Sequence, residues 1–271
     1  MKINNNIKLE APRHFSHYVF KKACMYGKKI KLIWNTIKLE AKLLTGYESI
    51  LKKPLYNRFI GHKAFNSSLL YSLTKNLKDN PIIKAITIRT LYNIHMYIPK
   101  LEPFAIQDIY MVFLKDPIIN KYIMPMLYLK GFHAIVVYRI YSCFWNRNKQ
   151  LLSTYIQNKI SVVLNIDIHP AAYIYNGTVF DHATGVVIGE TSVLKKGISI
   201  LQQVTLGGSG KLKGNRHPKI NEEVTIGAGT SVLGNIKIDN KVKLGAGSVV
   251  LHSIPTRKTA VGIPANIITS T

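Results

Sequence analysis

Residues 165–206 read NIDIHPAAYIYNGTVFDHATGVVIGETSVLKKGISILQQVTL, and an apolar side chain returns at every sixth position: Ile168, Ile174, Phe180, Val186, then Ser192 as an interruption, then Ile198 and Val204. The series resumes as Ile220, Ile226, Val232, Ile238, Leu244 and Val250. A helix repeats every 3.6 residues and a strand every 2, so a spacing of six held over a dozen positions marks an internal repeat. Six residues make one short strand and a corner. Three of them close a triangular coil, and coils stacked at about 4.8 Å pair their backbones while burying the ladder. Gly227-Ala228-Gly229 and Gly245-Ala246-Gly247 suit tight corners. Val204 to Ile220 breaks the spacing, so the polar, glycine-rich segment 207–219 leaves the coil as an excursion loop.

Upstream of 164 the composition changes. Residues 1–163 hold 26 Lys/Arg against 7 Asp/Glu and residues 164–271 hold 11 against 6, which locates most of the net charge of +24 in the first half. Those cations are scattered singly among Asn, Ile and Tyr rather than clustered, and no nucleic-acid motif accompanies them, so no nucleic-acid partner is expected. Residues 1–31 carry eight Lys/Arg and one acid and read as a basic extension. From Leu32 apolar residues recur at helical spacing up to Thr45-Gly46, and further helices are expected over 63–77, 81–97, 103–114, 128–145 and 150–163. Lys115-Asp116-Pro117 reads as an acid before a helix-starting proline, and His133 and Arg139 as structural members of a buried helix. After Val250 the rod is expected to fray through Pro255 and to end at 262–265. The architecture is therefore α+β: an all-α helical domain over 32–163, a β-solenoid over 164–268, and a tail at 269–271. Cys24 and Cys143 lie far apart, no secretory signal or membrane-length apolar run is evident, and a reducing cytoplasm without membrane association is expected.

His182 stands two residues after an inward ladder position, which puts it at a corner with no packing role. An imidazole titrating near 6.5 is a natural general base, with roughly 10²–10⁴-fold to contribute. Asp167 precedes it by about one coil and can orient it, across stacked coils or across a subunit seam. Read on spacing alone, Asp181-His182 is also an ordinary turn pair. His169, His182 and His217 fall on different coils with no metal spacing, so no metal is expected. Arg216-His217 makes a fork for a carboxylate or phosphate, and the backbone N–H groups of Gly207-Gly208 suit an oxyanion, although the loop also reads as a solvated insert.

NIDIHPAA (165–172), DHATGVVIGET (181–191), SILQQVTLGGSG (199–210), RHPKI (216–220), IGAG (226–229), LGAGSVV (244–250) and GIPA (262–265), with DP (116–117) and YLKGFHA (128–134), closely resemble bacterial serine O-acetyltransferase. The resemblance runs from about Leu32 to Ile268. It implies a left-handed parallel β-helix of hexapeptide repeats and acetyl transfer from acetyl-CoA to the hydroxyl of L-serine, with acetyl-CoA as co-substrate and no permanently bound cofactor. It also implies His182 as general base with Asp167 as its orienting partner. Asp116, Pro117, Asp181, Arg216 and His217 are implied for serine, and Gly208, Ala228, Lys243 and Ala246 for the CoA groove. L-Cysteine is the implied feedback inhibitor, and the implied assembly is a homotrimer with sites between subunits, or a homohexamer built as a dimer of trimers. Many members of this family end in a longer tail that docks into O-acetylserine sulfhydrylase; with Thr269-Ser270-Thr271 as its last residues, this chain is expected to bind that enzyme weakly or not at all. Two other readings stay open on the residues alone, an acetyltransferase for another acceptor and a silent repeat scaffold.

Overall fold

The computed structural model describes residues 26–76, 98, 100–210 and 214–268. The expected helix over 81–97, residues 1–25 of the basic extension and the tail at 269–271 lie outside these. The helices are α1 (Tyr26–Tyr47), α2 (Lys52–Leu55), α3 (Phe65–Asn76), α4 (Leu101–Lys115), α5 (Met124–Tyr128), α6 (Lys130–Trp145) and α7 (Gln150–Leu164). Helix α1 takes in residues 26–31, which the sequence reading gave to the extension. In α6 nearly every side chain from Gly131 to Tyr141 is buried, as an all-round apolar helix requires. His133 donates its Nε2–H to the Met126 carbonyl (2.9 Å), and Arg139 pairs with Asp108 of α4 inside the fold. Both are structural, as expected. Helix α7 buries a narrower stripe, Ser153, Ile156 and Ile160, and ends at Asn165, whose left-handed backbone turns the chain into the first strand.

Fifteen short strands follow, from β1 (Ile166–Ile168) to β15 (Ala265–Ile268). They form three faces: β1-β4-β7-β10-β13, then β2-β5-β8-β11, then β3-β6-β9-β12-β14-β15. All pairings are parallel except the last, β14 (Thr259–Gly262) with β15, and the chain visits face one, face two and face three in turn, a parallel solenoid of about five turns.

The register corrects the ladder. Ile168 pairs with Ile188, not with Val186, and Ile188 with Leu206. The inward series is Ile168, Ile174, Phe180, Ile188, Leu194, Ile200, Leu206 and then Ile220. Val186, Ile198 and Val204 are buried two residues ahead of it. Two extra residues enter at the corner that contains His182, so the first coil is two residues longer than the regular coils from Ile188 to Leu206 and from Val232 to Val250. The rod also does not fray after Val250. Ile254 bridges to Ile238, Ala260 is fully buried, and the β14–β15 hairpin closes the end.

The helical and solenoid parts share one core. Gly131 is obligatory at this junction: a Cβ there would lie 2.3 Å from the Phe180 carbonyl oxygen. Asp108 accepts the Gly177 N–H (2.7 Å), and the Tyr141 hydroxyl donates to the Ile168 carbonyl (2.8 Å). Among the described residues no helix is long and apolar enough to cross a membrane.

Residues 116–123 are not the helix that Pro117 was expected to start. Asp116 is extended, as a residue before proline must be, and its Oδ1 accepts the Ile118 N–H (2.9 Å), which stops α4 in a turn. Glu40 of α1 accepts the N–H groups of Tyr122 (3.1 Å) and Ile123 (2.8 Å) and so anchors the far end of this segment. Burial pushes the Glu40 carboxyl up to about 7 against those two donors. Its folded value lies above the unfolded one, so its contribution to stability is present at acid pH and is lost as pH rises through about 7. The thermal midpoint is expected to fall between pH 5 and pH 8, and Glu40→Gln, which cannot ionise, is expected to flatten that fall. Equal slopes for the two proteins would refute this role for Glu40.

Candidate active site

Two clusters of polar side chains lie on opposite edges of face one. The first is the corner between β3 (Val179–Phe180) and β4 (Val186–Ile188), where the chain carries its two extra residues. His182 (φ 53°) and Ala183 (φ 61°) both adopt the left-handed backbone that L side chains avoid, and Ala183 is fully buried while the His182 side chain is 73% exposed. The corner is held from several directions. Gly185 N–H donates to the Asn165 carbonyl (2.7 Å), Gln203 N–H to the Thr184 carbonyl (2.7 Å), and the Lys130 ammonium to the Thr184 hydroxyl. The strained turn is thus over-determined, and the imidazole it presents is free to meet a ligand.

His182 Nε2 lies 3.8 Å from Asp181 Oδ1. Asp167, on the outer side of β1, instead accepts a hydrogen bond from Gln157 Nε2 (2.7 Å). Within one chain no hydrogen bond or ion pair joins Asp167 to His182 among the described residues. The physical reason is register: Asp167 stands opposite Val187, past the corner rather than beside it. Asp116, Pro117 and Asp181 do meet. They line a cleft of about 360 Å³ on face three together with Lys115, Val179 and Ser199.

The second cluster lies at the corner between β4 and β5 (Val193–Leu194), where the excursion loop returns. Thr191 is its hub. Its hydroxyl oxygen accepts the N–H groups of Arg216 (3.0 Å) and His217 (3.0 Å), and lies 2.9 Å from His217 Nδ1, which also accepts the Thr191 N–H (3.1 Å). An Nδ1 that accepts leaves the ring proton on Nε2. Burial, then the Arg216 guanidinium, holds the His217 pKa below the ordinary histidine value, which keeps it neutral with Nε2–H as a donor. Arg216 is aimed by Glu190 (2.8 Å). Glu190 and Thr191 were not singled out from the sequence, although they follow directly within DHATGVVIGET; their partners stand 25 or 26 residues away, across the loop.

The remaining residues divide in the same way. Gly208, at the end of face one, lies beside the Arg216 side chain, where a Cβ would come 3.3 Å from its Cγ. Ala228 and Ala246 occupy the corners between faces three and one, and Lys243 projects from face three. They share the His182 edge. A separate cavity of about 460 Å³ between α4, α6 and β2 (Tyr173–Ile174) contains none of these residues. Among the described residues no three His, Cys, Asp or Glu side chains gather as a metal site would need. One edge thus offers an exposed imidazole beside carboxylates, and the other a guanidinium and an imidazole N–H that suit a carboxylate.

The family described as serine acetyltransferase, N-terminal, matches residues 33–136. The serine acetyltransferase of Escherichia coli (strain K12) is 45% identical over 245 residues, covering 90% of this chain and 89% of that protein. A solved serine acetyltransferase in complex with cysteine superposes with a TM-score of 0.84 at 46% identity, over 88% of this chain and 98% of the other. A complex of serine acetyltransferase with CoA gives 0.82 at 45% identity, over 87% and 98%.

Proposed function

Because the chain belongs to the serine acetyltransferase family, whose members move an acetyl group from acetyl-CoA to the hydroxyl of L-serine, we propose that it performs this reaction in a site completed between two copies, with His182 as the base. The observation that carries the assembly is the division of the ligand-binding groups between opposite edges of face one. Asp116, Asp181 and His182 stand on one edge and Arg216 and His217 on the other, and the groove residues Ala228, Lys243 and Ala246 stand apart from Gly208 in the same sense. A single serine cannot bridge one chain's two edges across the intervening strand. The edge of one copy laid against the opposite edge of a second closes the distance, and three copies complete the ring.

In such a site Asp116 and Asp181 hold the serine ammonium, while Arg216 and His217 Nε2–H hold its carboxylate. His182 accepts the hydroxyl proton as the oxygen attacks the thioester carbonyl. The tetrahedral adduct then expels the CoA thiolate, which takes the proton back from the imidazolium. Asp167 lies on the strand between the two edges and supports the imidazolium electrostatically, or from the neighbouring copy. Lys243 and Ala246 border the CoA groove, where the ammonium offsets phosphate charge. Cysteine carries the same zwitterion with a thiol in place of the hydroxyl, so it occupies the serine position as an inhibitor. Two widely separated cysteines and these substrates fit a cytoplasmic enzyme.

Release of CoA thiol from acetyl-CoA by the purified protein tests the reading. CoA release that depends on L-serine and is suppressed by L-cysteine is expected; release with another acceptor and not with serine would refute the substrate assignment.

A further inference from the structure

We infer that Lys115 is a positioning residue for the serine subsite, strapping the end of α4 to face three so that Asp116 overhangs the cleft that Asp181 enters. This rests on the assignment of Asp116 to serine made above. Lys115 is the last residue of α4 and immediately precedes Asp116. Its ammonium donates to the Gly197 carbonyl (2.6 Å) and to Ser199 Oγ (2.9 Å), both on face three or at its corner. Ser199 also lines the cleft with Asp116 and Asp181.

The strap acts on one residue's position. Asp116 has left the helix, and its Oδ1 is turned back onto the Ile118 N–H, while three residues on Ile119 clusters with Val179 of β3. The bond from the preceding side chain ties the Asp116 end of the loop directly to face three. Docking of the helical domain does not depend on it. Asp108 on Gly177, Tyr141 on Ile168, Tyr138 on Ala172 and Gly131 against Phe180 already secure the interface. Loss of the strap therefore loosens the Asp116 end of the loop without undocking α4, while Ile119 on Val179 and Glu40 on residues 122 and 123 keep the rest of the loop in place. The charge balance agrees: one ammonium beside two carboxylates leaves the cleft a net negative charge, which a ligand ammonium neutralises. Burial lowers the Lys115 pKa, and the Glu223 carboxylate opposes this.

Steady-state kinetics on Lys115→Met, Lys115→Arg and Asp116→Asn, with thermal melting of each, test the inference. Lys115→Met is expected to raise the serine KM and the cysteine concentration for half-inhibition together, by roughly tenfold, while kcat and the acetyl-CoA KM stay within about twofold. Its melting midpoint should match the parent, and Lys115→Arg should restore serine binding, because a guanidinium can reach the same two oxygens. A Lys115→Met protein with parental serine and cysteine affinities would overturn the inference. So would a lowered midpoint with kcat and both KM values disturbed alike, which marks a merely structural bond. Asp116→Asn separates the premises: if it raises the serine KM and Lys115→Met does not, only the strap fails, whereas a parental serine KM in Asp116→Asn removes the subsite assignment itself.

Discussion

His182→Ala is expected to lower kcat by at least ~10²-fold with both substrates saturating, and to leave the fold and the KM values near those of the parent. The imidazole is largely exposed and its only described partner is Asp181 at 3.8 Å, so removing it opens no cavity and orphans no buried group. Alanine must adopt the same left-handed backbone (φ 53°) that histidine adopts now, held by the Lys130–Thr184 and Gly185–Asn165 bonds around it. Strain at the corner is thus unchanged, and what disappears is the proton acceptor. A variant with near-parental turnover would show that another group takes the hydroxyl proton.

Gly189→Ala is expected to raise the serine KM by about 10²-fold, the scale of a lost charge-assisted anchor, and to weaken cysteine inhibition in step. The added Cβ would lie 2.0 Å from His217 Cδ2 and 2.1 Å from its Nε2. Thr191 holds the ring through Nδ1 and holds the backbone of residues 216 and 217 through its hydroxyl, so the imidazole cannot retreat without breaking those bonds. It swings out, and its Nε2–H leaves the carboxylate position. The acetyl-CoA KM should change little. A serine KM within about threefold of the parent would mean that His217 does not contact serine.

The repeat, the excursion loop and the long helices α1, α3, α4, α6 and α7 were legible because each has its own period or punctuation, whereas the short α2 and α5 and the turn after Pro117 were not. The register was not. Positions two apart are both apolar through this region, as in Val186/Ile188, Ile198/Ile200 and Val204/Leu206, so a ladder can slip by two residues without meeting a polar side chain except at Ser192. That serine was the available signal: it is buried beside Leu194, the true inward residue. The slip arises at the His182 corner, where the site departs from the repeat it is built on. The separation of Asp167 from His182 within one chain follows from the same register, which counting residues along an assumed coil does not reveal. The roles of Thr191 and Glu190 were hidden for a different reason. They act on residues brought back by a loop whose path no periodicity encodes.

Mixing His182→Ala chains with Arg216→Ala chains in equal amounts, unfolding them together and refolding, tests the divided site most directly. If each site takes His182 from one copy and Arg216 from the next around a threefold ring, every mixed trimer regains one intact site, and the mixture recovers about a quarter of parental activity from two inactive parents. Activity that stays at the level of the separate variants, in a mixture shown to contain mixed trimers, would mean that each chain builds its site alone.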